Sequence, residues 1–151
     1  MSIFNAMNTS SSALIAQRLR MDVASSNIAN ANSTRATLTE NGEWEPYRRK
    51  MVVFQSEQQS FKSHLNHASL SSSNTNEGVK ASQIVEDDAP FKLVFNPTHP
   101  DANEQGYVKV PNVDPLQEMV DMMSATRSYE ANVTSLNASK SMLMKALEIG
   151  R

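Results

Sequence analysis

The stretch from Asp114 to Ile149 constrains the fold more than any other part of the chain. It has no Pro after Pro115 and no Gly before Gly150, so it contains neither of the strong helix breakers. Pro115 suits a first helical turn, where its missing N–H would have no intrahelical partner anyway, and Asp114 stands ahead of it as an N-cap. Leu116, Val120, Met123, Tyr129, Val133, Leu136, Leu143 and Leu147 follow three- and four-residue steps, with Thr126 and Lys140 interrupting the series. That spacing predicts a helix with an apolar stripe close to a heptad, and Gly150 stands where a C′ glycine closes one. At 1.5 Å per residue such a helix is roughly 50 Å long. A helix of that length exceeds the core of a small domain, so part of its stripe needs a partner elsewhere.

A second helical pattern runs from Ile3 to Ala31. Phe4, Met7, Ser11, Leu14, Arg18, Met21, Ser25 and Ile28 alternate steps of three and four, a heptad register with a mixed seam. Ser11 and Ser25, with Ala24 and Ala29 beside them, let neighbouring backbones approach, and Arg18 can bury its stem while keeping its charge at the rim. The simpler interpretation is an amphipathic helix packed on its own domain. The sharper one is a seam for several helices, because a lone helix gains little from burying Ser and Arg. From Asn27 to Arg35 the composition turns to Asn, Ser and Ala, residues that compete with helical bonds and favour caps and turns, so the helix ends there in an exit loop.

The middle is β-rich. Asn41-Gly42 signals a turn. Trp44 to Gln55 reads as extended, with Tyr47, Met51 and Val53 in partial alternation and Met51 to Phe54 as a short buried run. Arg48, Arg49 and Lys50 read as solvated strand charges, since no aromatic interleaving supports a phosphate contact. Ser56 to Asn76 is low in complexity and predicts a long mobile loop or loose hairpin. Val79 to Val85, Phe91 to Phe95 and Gly106 to Val110 are further short strands, separated by Pro90, Pro97 and Pro100, with a turn-rich loop from Asn96 to Asn103.

Little in the chain points to catalysis. The 151 residues make one domain, or one domain with extensions, and the formal net charge of -2 gives no argument for nucleic acid. The absence of Cys excludes disulfides, thiol chemistry and Cys-ligated metals. No apolar run reaches the ~20 residues of a membrane span, and no cleavable secretory signal is visible at the start. Aromatics are only 6% of residues, which permits a modest core. His64 and His67 share a helical spacing but have no third ligand nearby. His99-Pro100-Asp101 spells a co-chaperone tripeptide without the flanking helices it needs. With only 4 Gly there is no phosphate-cradling loop, and no nucleophile–base or paired-carboxylate arrangement stands out.

Asn27-Ile28-Ala29-Asn30 after a terminal helix resembles the signature of the flagellar basal-body rod and hook proteins. Ser26 to Arg35, Pro46 to Phe54, Asn96 to Ala102 and Gly106 to Val108 resemble the proximal rod branch. So do Pro111 to Asp114, Glu118 to Met123, Ala125 to Val133 and Lys140 to Met142. The wider axial family has a Thr-x-Gly turn soon after the Asn motif. Here Arg35-Ala36 follow Thr34, and no Gly comes before Gly42, which is similar to the C-type rod members. The segment Ser56 to Asn76 is longer than this resemblance predicts.

The resemblance implies a structural subunit of the proximal rod, the helical drive shaft that transmits torque through the periplasm. It implies an α+β chain whose terminal helices pair as a coiled coil, the inner tube domain. Residues 1–35 and 113–151 would form that domain, and residues 36–112 a small β-rich outer unit. The helix-packing residues would be Phe4, Met7, Leu14, Met21, Ile28, Leu116, Val120, Met123, Tyr129, Val133, Leu136, Leu143 and Leu147. Implied partners are copies of itself, the B-type and F-type proximal rod proteins, the G-type distal rod protein, the E-type adaptor, the inner-membrane MS ring and the flagellar type III export apparatus. Export without a cleaved signal is expected, with no catalytic, metal or cofactor site, no nucleic acid and no membrane insertion. The alternative is a soluble coiled-coil adaptor that docks one client.

Overall fold

A computed structural model describes residues 3–39, 42–56 and 78–150. The Ser-rich stretch after Ser56, with His64 and His67, lies outside the described residues. In chain order the elements are α1 (Ile3–Ala29), β1 (Thr37–Leu38), β2 (Trp44–Glu45), β3 (Lys50–Ser56), β4 (Val79–Glu86), β5 (Lys92–Phe95), β6 (Tyr107–Val110) and α2 (Pro115–Ile149). Among the described residues two helices therefore flank three two-stranded sheets, β1–β2, β3–β4 and β5–β6, and the class is α+β as the patterning predicts.

The helix boundaries follow from local chemistry. Asp114 caps α2: its Oδ1 accepts from the Leu116 N–H at 3.0 Å and its carbonyl from the Glu118 N–H at 3.0 Å. Gly150 donates its N–H to the Ala146 carbonyl at 3.2 Å and does not enter the left-handed region. Asn30 ends α1, with its side chain folded back to the Ser26 carbonyl at 2.9 Å. Gly42, at φ 80°, turns the chain between β1 and β2, where Thr37 faces Glu45 and Leu38 faces Trp44. The strand β1 is an addition to the patterns seen in the sequence, too short to show a period.

The chain divides into two compact units. One comprises Arg20–Val52 and Ile84–Met123. It holds the end of α1, the start of α2, and the β1–β2 and antiparallel β5–β6 pairs, the latter in a register from Lys92 opposite Val110 to Phe95 opposite Tyr107. Its buried residues are Ala24, Asn27, Pro46, Tyr47, Gly106, Val108, Pro111, Val113 and Glu118. The other unit comprises Met1–Leu19, Val53–Gln83 and Ser124–Arg151. Ser10, Ala16, Ala125 and Ser139 are buried there, and the Val79 N–H donates to Ser12 Oγ at 3.1 Å.

The inward line of α1 is small and polar, and that of α2 alternates small or polar residues with large apolar ones. In α2 they run through Glu118, Met122, Ala125, Tyr129, Asn132, Leu136, Ser139 and Leu143, all buried or half-buried at heptad steps. In α1 the line is Ser10, Ala13, Gln17, Arg20, Ala24 and Asn27. Many of the large apolar side chains point outward instead: Phe4 and Ile15 on α1, and Leu116, Met119, Val120, Met123, Met142, Met144, Leu147 and Ile149 on α2. Small residues allow close backbone approach but bury little apolar area, so the inward line of α1 supplies a weak hydrophobic gain and that of α2 draws its gain from Met122, Tyr129, Leu136 and Leu143.

Candidate functional site

The site with the densest chemistry is centred on Asn27 in the last turn of α1. Its side chain is 1% exposed, and both ends of its amide are used. Nδ2 donates to the Lys50 carbonyl at 2.8 Å and to Glu118 Oε2 at 3.0 Å. Oδ1 accepts from the Tyr47 hydroxyl at 3.0 Å and from the Lys50 N–H at 3.0 Å. One amide thus joins α1, the segment before β3, β3 itself and α2. A carboxylate could not donate to Glu118 and an apolar side chain could do none of this, so the position selects an amide of this length.

Glu118 is 2% exposed and ionised groups at that depth need partners. It receives the Asn27 amide and the Arg49 Nε at 2.6 Å. Arg49 also lies 3.9 Å from Asp87 and 3.9 Å from Asp121, and Asp121 pairs with Arg20 at 2.9 Å. The Arg49 N–H donates to Asn112 Oδ1 at 3.1 Å. Arg20 and Arg49 therefore sit among three carboxylates in a network that ties the end of α1 to the start of α2. Arg49 is not the solvated strand charge that its sequence neighbourhood suggests. Its neighbours have partners too: the Arg48 guanidinium lies 4.6 Å over the Phe91 ring, and the Lys50 ammonium 5.7 Å from the Tyr47 ring.

A second clamp holds the exit loop. The Thr34 hydroxyl donates to Asp101 Oδ2 at 2.8 Å and Arg35 Nε to Asp101 Oδ1 at 2.7 Å, with Arg35 Nη2 on the same oxygen. The hydrogen bonds from Arg35 and then Thr34 hold the Asp101 carboxyl below its ordinary range, and Asp101 in turn raises Arg35. His99 accepts the Asp101 N–H through Nδ1 at 3.1 Å, the role of a loop-forming side chain.

Of the motif residues, Asn27 is buried at the hub, Ile28 and Asn30 are half-buried, and Ala29 is exposed. Among the residues expected to pack helices, Met7, Leu14, Met21, Tyr129, Val133, Leu136 and Leu143 are half-buried, while Phe4, Leu116, Val120, Met123 and Leu147 are exposed. Sequence reasoning missed Glu118, Arg49, Tyr47, Asp121 and Asp101. The one available signal was a Glu in the first turn of α2 on the inward side, a position that only the register of α2 identifies. Among the described residues no group of His, Asp and Glu is placed to hold a metal ion, and no helix is long and apolar enough to cross a membrane.

Comparison with known proteins covers both helical ends and the full chain. Residues 7–37 match the family described as flagella basal body rod protein, and residues 104–149 match the C-terminal family of flagellar basal body rod FlgEFG proteins. The first match contains the Asn motif and the second contains Glu118. The flagellar basal-body rod protein FlgC of Bacillus subtilis is 62% identical, with 100% of each chain covered. The FlgC proteins of Escherichia coli O6:H1 and Salmonella typhimurium are 44% and 42% identical, again over 100% of each chain. A buried structural hub, helices with outward apolar faces and full-length kinship converge: the chain belongs to the FlgC family of flagellar basal-body rod proteins, which are structural and not an enzyme family.

Proposed function

We propose that the chain is a proximal rod subunit whose terminal helices pair as a coiled coil and line the inner tube of a helical assembly. In this reading residues 1–35 and 113–151 form the inner domain and residues 36–112 lie outside. Copies of the chain, the B-type, F-type and G-type rod proteins, the E-type adaptor and the MS ring are its neighbours. The chain reaches the periplasm unfolded through the flagellar type III channel without loss of a signal.

One observation carries the reading: Leu116, Met119, Val120 and Met123 stand exposed together on one face of α2. A contiguous exposed apolar stripe on a helix marks a surface that another chain covers. Nothing in the matched families favours a soluble coiled-coil adaptor. Val120→Asp tests the proposal, because Val120 is 49% exposed and the substitution leaves the fold of the subunit intact. The variant should be soluble, with normal circular dichroism, and be exported. It should be missing from isolated basal bodies, and the cells should not swim. A motile Val120→Asp strain with the variant in its basal bodies would refute the assembly role of this face.

A further inference from the structure

A cavity of about 600 Å³ opens beside β2 and β6, within the unit that holds the Asn27 hub. Trp44, Pro46 and Tyr107 supply its apolar wall, and Glu43, Asn103 and Lys109 its polar wall. Its size is that of a small-ligand site, which spans roughly 300–1,000 Å³. Trp44 is 53% exposed and Tyr107 41%, in a chain with a single Trp and few aromatics of any kind. Leaving two large rings in water costs hydrophobic free energy, so an aromatic wall of this kind suits a ligand.

The wall is built. Phe95 holds the Tyr107 ring edge-on, with centroids 5.3 Å apart and planes at 66°. Asn103 is anchored through Oδ1, which accepts the Gln105 N–H at 3.0 Å and the Tyr107 N–H at 2.8 Å, and its Nδ2 remains a donor. Gly106 lets β6 begin this close to β5, since a Cβ there would stand 3.0 Å from the Phe95 ring and 3.3 Å from Pro97.

Charge selects the ligand class. Glu43 and Lys109 are of opposite sign, and Asp101, which also lines the cavity, is neutralised by Arg35. The wall is therefore close to neutral, which disfavours phosphate-rich ligands and metal cations. A neutral ligand with an apolar C–H face and a rim of hydroxyls matches both walls. We propose that this cavity binds a short neutral saccharide. Pyranose faces rest on Trp44 and Tyr107, and hydroxyls bond to the Asn103 amide, the Glu43 carboxylate and the Lys109 ammonium. A protein segment seated on the same aromatics is the competing occupant.

Trp44 is the only indole, so its fluorescence reports on the cavity in the full-length protein. Titration with triacetylchitotriose and with maltotriose should give a saturable spectral shift for at least one sugar. Calorimetry with the same sugar should detect heat of binding that Trp44→Ala removes and Lys109→Ala weakens, with both variants folded by circular dichroism. No saturable response to either sugar overturns the proposal. So does sugar binding that survives in Trp44→Ala. Loss of Trp44→Ala from basal bodies, with no sugar bound by the unsubstituted protein, assigns the surface to a protein neighbour and also overturns it. If Trp44→Ala does not fold, Lys109→Ala on the exposed strand face decides the matter: unchanged affinity for the sugar counts against the site.

Discussion

Asn27 is worth more to this protein than its size suggests, because each polar atom of its amide serves a buried partner. Removing it leaves the Glu118 carboxylate and the Lys50 backbone short of hydrogen bonds. Each orphaned buried group costs about 1–3 kcal/mol, so Asn27→Ala should lower stability by about 2–4 kcal/mol. Urea unfolding followed by Trp44 fluorescence measures this, and a loss below about 1 kcal/mol would show that the hub relaxes around the cavity. Arg49→Ala belongs to the same network and leaves Glu118 without its cation, where breaking such buried pairs costs about 3–5 kcal/mol. Asp101 gives a pH signature instead. Its carboxyl is depressed in the folded state from the ordinary 3.8. The stabilising contribution is therefore fully present above the ordinary value and lost as pH falls through the lowered one. Carbon NMR titration of the Asp101 carboxyl should find it still ionised below pH 3.8 and back in the ordinary range in Arg35→Ala.

Among the elements, the β5–β6 hairpin depends on a conformation more than on packing. Gly106 sits at φ 78°, a region unfavourable for any residue with a Cβ, and the added atom would also press on Phe95 and Pro97. Gly106→Ala should cost about 1–3 kcal/mol and loosen the turn from Asn103 to Tyr107, seen as faster amide exchange at Tyr107 and Val108. In α2 the comparable position is Ala125, fully buried on the inward line. Ala125→Leu adds volume where helix backbones come close, and overpacking of this kind costs about 1–3 kcal/mol. It should reduce helicity in circular dichroism, whereas Val120→Asp, on the outward face of the same helix, should not. The contrast between the two variants separates the fold of the subunit from its assembly.

For the whole molecule, the outward apolar faces and the many small or polar residues on the inward lines make the terminal helices poor at standing alone. Ordering each residue costs roughly 1–2 kcal/mol, and inward lines in which at least every second residue is small or polar recover only part of it. In dilute monomer the parts of the two helices beyond the Asn27 hub, residues 3–19 and 124–150, should exchange their amides faster than the hub itself, and their protection should rise as the chain associates. Strong protection of both ends in monomer would contradict this. Charge contributes little, since the net value of -2 neither drives nor prevents association.

The two helices, the Asp114 cap of α2 and most of the strands were legible in the sequence, because these rest on local chemistry. Pro115 behind Asp114, the Asn-rich exit after Ala29 and the turn glycines act within a few residues of themselves. The family signature was also local, a run of four residues at a helix end. The sequence could not say which face of each helix turns inward. In α1 the small polar residues take the inward line, while in α2 the apolar stripe shares Tyr129, Leu136 and Leu143 with the inward line but also runs through the exposed Leu116, Val120, Met123 and Leu147. Nor could it pair Asn27 with Glu118 or Arg49 with Asp121, which stand far apart along the chain. Such a hub exists only when tertiary structure brings the end of α1, the start of β3 and the start of α2 to one point. A buried Glu, costly in isolation, is stable there because an Arg and an amide meet it.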